Sequence, residues 1–144
     1  MKFYTSYFAQ MRNFPLNMIG FSTAIWEPKY ITYGRSQNGI YWMGIPPLKP
    51  GAACEGLCNG SCEPKHPQDC AFLKAYRAQL DLLDFNEILE KIKSIARKVQ
   101  ENEGFNDIDV VILFYEKFDN KCSERWVVQQ WFKDNGIEIK EWHK

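Results

Sequence analysis

The stretch Asp109-Val110-Val111-Ile112-Leu113-Phe114-Tyr115 decides the fold class. It is an unbroken apolar run, rich in β-branched and aromatic residues, and it lacks the spacing of an amphipathic helix. A strand with one wet face alternates apolar and polar residues. A continuous run reads as a strand buried on both faces, the setting of a parallel sheet. Parallel neighbours need a crossover, and one stands directly downstream. Ser123 to Asp134 carries Val127, Val128, Trp131 and Phe132 at helical spacing, and Asn135-Gly136 ends it. Ile137 to Trp142 then alternates and reads as a final edge strand. Strand, helix and strand in this order form a right-handed βαβ unit when the strands are parallel.

Working upstream, two further helices precede this unit. Phe72, Leu73, Tyr76, Leu80 and Leu83 fall at helical spacing after Pro67. Asp84 with Glu87 reads as a capping box for the second helix, whose apolar face is Ile88, Leu89, Ile92, Ile95, Ala96 and Val99. Gly104 lies beyond its end. Lys91, Lys93, Arg97 and Lys98, interspersed with Glu87 and Glu90, read as its solvated face. Lys2–Phe8 and Met18–Ile25 read as strands, joined by a loop over Ala9–Asn17. Residues 26–52 are dense in Gly, Pro and aromatics and read as loop, with one short extended piece near Ile40–Met43. Trp26, Tyr30, Tyr33, Tyr41 and Trp42 in this part either fill space under long loops or form a stacking platform for a base. The expected architecture is α/β: a single three-layer domain over residues 1–144, with a short, mostly parallel sheet and a Pro/Cys-rich loop insert at 45–70.

Composition excludes several function classes. Lys plus Arg and Asp plus Glu are both 18, so the net charge is zero, which argues against bulk electrostatic binding of nucleic acid. No apolar run of about eighteen residues is present, so no membrane span is expected. The opening MKFYTSYFAQMRNF lacks the apolar core of a secretory signal, and a cytoplasmic protein is expected.

Four of the five cysteines fall in CEGLCNGSCEPKHPQDC, residues 54–70. Gly56, Asn59-Gly60, Pro64 and Pro67 break any helix there, so the thiols of Cys54, Cys58, Cys62 and Cys70 can converge from several directions. Tetrahedral zinc needs such convergence, and His66 could replace one thiolate. The spacing C-x3-C-x3-C-x7-C differs from the common paired C-x2-C knuckles. An iron–sulfur cluster uses the same ligands and is the second choice. Disulfides and free thiols are the other possibilities, with disulfides disfavoured in a cytoplasmic setting. The segment has almost no apolar residue except Leu57, so it cannot order itself by burial, and a metal supplies that order. A nucleic-acid zinc knuckle is the weaker reading, because Glu55, Glu63 and Asp69 outnumber nearby Lys49 and Lys65.

The fifth cysteine, Cys122, stands at the start of the last helix, just after the buried strand. Open α/β sheets bind ligands outside the carboxyl ends of their strands. A helix start there offers free N–H groups and partial positive charge, which favour an anion and lower a thiol pKa. Cys122 is therefore a candidate nucleophile with Arg125 as charge stabiliser, and Ser123 with Arg125 a candidate phosphate or carboxylate holder. The bland alternative is an ordinary N-cap at Ser123 or Asn120 and a packing role for Cys122. Arg12, after the first strand, either clamps a phosphate or covers neighbouring phenylalanines.

Tyr4-Thr5-Ser6-Tyr7-Phe8 with Arg12 and Pro15, and the closing stretch LFYEKFDNKCSERWVVQQWFKDNGIEIKEW, resemble the two ends of the family catalogued as domain of unknown function 488. The family's Cys-His-Arg is Cys122-Ser123-Glu124-Arg125 here, with an added residue and no histidine. If that histidine transfers protons, Glu124 is the residue left to replace it. The resemblance implies a small α/β domain with a site made by Arg12, Cys122 and Arg125, and Thr5 and Ser6 facing the same crevice. The function expected from all of this is binding of a small anionic ligand, a nucleotide or nucleoside derivative, at a strand-end crevice, with thiol catalysis if the chain is an enzyme. The alternative is a non-catalytic binding or regulatory protein, a small-molecule sponge or host-interaction protein, with a zinc-stapled loop.

Overall fold

In the computed structural model, which describes residues 1–27, 34–35, 39–57, 69–117 and 122–142, the apolar run at 109–114 lies inside a sheet with a strand on each side. The strands are β1 (Phe3–Tyr7), β2 (Met18–Ser22), β3 (Gly34–Arg35), β4 (Tyr41–Gly44), β5 (Asp109–Phe114) and β6 (Ile139–Glu141). Their order is β3-β4-β2-β5-β1-β6, parallel throughout except for β3, which pairs antiparallel with β4. Val110 stands opposite Phe3 on one side and Ile19 on the other. This double pairing explains why β5 tolerates no polar position between Val110 and Phe114.

Alternation along the strands divides the core into two faces. Phe3, Ile19, Phe21, Val110, Ile112 and Phe114 pack with the apolar faces of α1 (Ala71–Asp81), α2 (Phe85–Glu103) and α3 (Arg125–Asp134). Met18, Trp42, Val111 and Leu113 point to the opposite face, where Phe8, Met11 and Phe14 cover them. The sheet is thus the middle layer, with α-helices on one side and a thinner cover on the other. Gly20 permits that second packing. A Cβ there would lie 2.7 Å from Leu113 Cδ1 and 3.3 Å from Trp42 Cβ, both in the buried layer.

The helix signals act as their chemistry requires. Asp84 accepts a hydrogen bond from the Glu87 amide at 3.2 Å, and Gly104 ends α2 with φ +71°. Several boundaries differ from expectation, each for a local reason. β2 stops at Ser22, where both the amide and hydroxyl of Thr23 donate to the Leu113 carbonyl, at 3.0 Å each. The Ala9–Asn17 stretch is not all loop: Phe8–Asn13 forms a 3-10 helix that turns Phe8 and Met11 inward. β3 is too short to leave a periodic signal. The aromatic cluster of the loop-rich part does not form one surface. Trp42 is buried edge-on to Phe8, whereas Tyr41 lies on the helix-covered face and donates to Glu103 at 2.6 Å. Tyr30 and Tyr33 lie outside the described residues. No helix among the described residues is long and apolar enough to cross a membrane.

Candidate functional site at the carboxyl edge of the sheet

The parallel strands β1, β2 and β5 all end on the edge where α3 begins. After β5 the chain continues through Tyr115 and Glu116, and Glu124 sits immediately before α3. A crevice of about 380 Å³ opens between these segments and the chain leaving β2, lined by Thr23, Ala24, Ile25, Trp26, Tyr115, Glu116 and Glu124. Trp26 is 83% exposed and Tyr115 68%, an unusual outlay of aromatic surface. Glu116 and Glu124 are half-buried and hydrogen-bonded to each other. Burial first, and then the charge of Glu116, pushes the Glu124 carboxyl up to about 8, against a smaller opposing pull from Arg125. At neutral pH Glu124 therefore keeps its proton. Ser123, fully buried, donates to Glu116 Oε2 at 3.3 Å and accepts from the Arg125 amide at 3.3 Å. Its hydroxyl thus ties the first amide of α3 to Glu116.

Beneath the crevice lies a polar network that reaches across the sheet. The Arg125 side chain is 0% exposed, with Nη2 donating to the Glu116 carbonyl at 2.8 Å and Nε 3.0 Å from Glu141 Oε1. The Nε contact is an ion pair by distance but is not aligned as a hydrogen bond, and Nη1 has no hydrogen-bond partner. The guanidinium centre lies 5.6–5.9 Å from the rings of Phe114, Tyr7 and Trp126, which offsets part of that cost. Burial lowers the Arg125 pKa from its ordinary value, while Glu141 and Glu116 oppose the shift. Thr5 Oγ1 donates to Glu141 Oε1 at 2.8 Å and accepts from Gln129 Nε2 at 2.6 Å.

The residues expected to bind ligand are therefore divided. Thr5, Ser6, Ser123 and Arg125 are brought to this edge, but all four are fully buried and engaged with the protein itself; Ser6 donates to the Trp142 carbonyl at 2.8 Å. None of them lines the crevice. Arg12 is exposed on the 3-10 helix after β1 and also lies off the lining. Cys122 is disulfide-bonded. A disulfide sulfur is no thiolate, so the nucleophile role expected of Cys122 applies only to a reduced chain. Glu116, Gln129 and Glu141 carry no sequence signal as site residues, because their partners lie on other strands and helices.

Of the expected metal ligands, Cys58, Cys62 and His66 lie outside the described residues. Cys54 and Cys70 are free thiols, and Cys70 directly precedes α1. Among the described residues no group of three or more His, Cys, Asp or Glu side chains is arranged to hold a metal. Cys54 is buried, 3.8 Å from Gln79 Oε1. Burial pushes its thiol pKa up, and the Glu124 charge adds to this. Tyr76, which donates to the Leu48 carbonyl at 2.5 Å, is raised by burial and then by Glu124 and Cys54. Comparison with protein-family models, curated proteins and solved structures finds no match to this chain.

Proposed function

We propose that the strand-end crevice binds a flat, nitrogen-bearing small molecule, and that a nucleoside derivative is the class that fits. The observation that carries this reading is the Glu116–Glu124 pair opening beside exposed Trp26 and Tyr115. An aromatic face stacks a base at little entropic cost. A carboxylate accepts from the N–H groups on a base edge. A phosphate group belongs away from this lining, which carries two carboxyls and no cation. The chemistry is that of a binder first. A carboxyl that holds its proton near neutral pH is also a competent general acid, so the same pair would serve proton transfer to a bound ligand. Catalysis by Cys122 would require the reduced chain.

Calorimetric titration with adenosine and guanosine, each with and without a 5′-phosphate, tests the reading. Binding is expected to strengthen as pH rises toward 8, because the Glu124 carboxylate that accepts from a donor edge forms as its proton leaves. Trp26→Ala and Glu124→Gln are each expected to weaken it by about tenfold, the worth of one stacked ring or one charge-assisted hydrogen bond. Unchanged affinity in both variants would sink the proposal.

Zinc is part of the proposal on the donor chemistry of the sequence alone: Cys54, Cys58, Cys62 and Cys70, with His66 as alternative ligand, and an iron–sulfur cluster as second choice. Native mass spectrometry under reductant is expected to find one zinc per chain, retained in Cys122→Ala and lost in Cys70→Ser. A reduced, folded chain that stays metal-free in added zinc rejects it. Kinship with the domain of unknown function 488 family stands as a proposal resting on the two terminal motifs.

A further inference from the structure

A second concavity, of about 540 Å³, lies at the opposite, amino-terminal edge of the sheet. Its charged lining comes from separate elements. Lys2 precedes β1, Lys140 belongs to β6, and Lys93 with Arg97 project from one side of α2, a turn apart. Glu138 is the one acid in the lining. A chain of zero net charge thus gathers four cations against one carboxylate around a single cleft. Lys91, Arg97 and Lys98 are exposed, as a solvated helix face requires, and Lys93 is half-buried; of the four, Lys93 and Arg97 line the cleft.

The neighbouring acids do not neutralise this cluster. Lys140 Nζ lies 3.2 Å from Glu138 Oε1, but both side chains are more than two-thirds exposed. Lys93 Nζ lies 4.0 Å from Glu90 Oε1, at the limit of ion pairing, and Glu90 is exposed. Asp109 is occupied by the backbone amide of Lys2 at 2.9 Å. Exposed pairs of this kind are weak and readily exchanged for a better anion. Between the cations the lining is apolar, formed by Phe3, Tyr4 and Ile137. The volume suits a small organic molecule rather than a bare ion.

We infer that this cleft is a binding site for a phosphorylated small molecule, with its phosphate held by Lys2, Lys93, Arg97 and Lys140 and its apolar part resting on Ile137. Arg97 supplies the planar fork that a phosphate accepts bidentately, and the lysines supply adjustable point charges. The site is independent of the carboxyl-edge crevice, and either can fail without the other.

The test is calorimetry on the full chain at low and moderate salt, with phenyl phosphate and inorganic pyrophosphate as probes. Both are expected to bind, more weakly as salt rises. K93E/R97E is expected to reduce affinity by at least about tenfold, since it removes two charge-assisted contacts. K91E/K98E changes net charge equally on the same helix and is expected to leave affinity unchanged. Should K93E/R97E fail to fold, Lys140→Glu on the exposed edge strand replaces it, with the same expected loss. Three results overturn the inference: no binding to the native chain, equal losses in the two double variants, or a duplex oligonucleotide that outcompetes phenyl phosphate for the cleft.

Discussion

Replacing Arg125 with methionine is expected to lower stability by about 3–5 kcal/mol, enough to leave much of the chain unfolded at room temperature. The guanidinium is fully buried, so the loss is not of a surface ion pair worth a few tenths. Its removal takes the ion pair from the Glu141 carboxylate, 12% exposed, and the hydrogen bond from the Glu116 carbonyl that accepts from Nη2. A buried charge without its partner costs far more than the pair contributed. The network then fails outward, because Thr5 Oγ1 links Glu141 to Gln129 on α3. Urea unfolding with the native chain as reference measures the effect. Adding Glu141→Gln to Arg125→Met is expected to recover a large part of the loss, since it removes the charge that the arginine paired. A single variant that loses less than about 1 kcal/mol, or a double variant no better than the single, contradicts this account.

The fate of Arg125 also shows where sequence reading stops. An arginine at a helix start beside a strand end is correctly placed by local pattern, and the crevice edge follows from the parallel topology. Whether its charge faces a ligand or the interior depends on Glu141, sixteen residues later on an edge strand, and no local pattern reports that pairing. Thr5 and Ser6 fail for the same reason. Their position at the end of β1 was legible, but their hydroxyls are taken by Glu141, Gln129 and the Trp142 carbonyl. Periodic features were the easiest to read. The unbroken run of β5, the Asp84–Glu87 cap and the apolar faces of α1, α2 and α3 repeat a signal over many residues. β3, two residues long, repeats nothing. Lys93 and Arg97 look like any solvated helix face until Lys2, just before β1, and Lys140, on β6, line the same cleft.

Glu124→Gln is expected to make the protein more stable at pH 8 by about 2 kcal/mol and to leave it nearly unchanged near pH 5. The sign follows from the proton count. In the unfolded chain Glu124 releases its proton near 4.5; in the folded chain it holds it until about 8. Across that window the folded state carries a proton the unfolded state has lost, so native stability falls as pH rises. Glutamine keeps the shape, can still donate to Glu116, and has no proton to lose. Its unfolding free energy is therefore expected to run flatter between pH 5 and 8 than that of the native chain. Urea melts at half-unit pH steps measure both curves. A variant whose slope parallels the native one would assign the pH dependence to another group. Paired with the expected tenfold loss of ligand affinity, a gain in stability has a definite meaning. A structural residue does not usually cost stability by being there, whereas a binding or proton-transfer residue often does. The carboxyl that strains the fold as pH rises would then be the one the ligand uses.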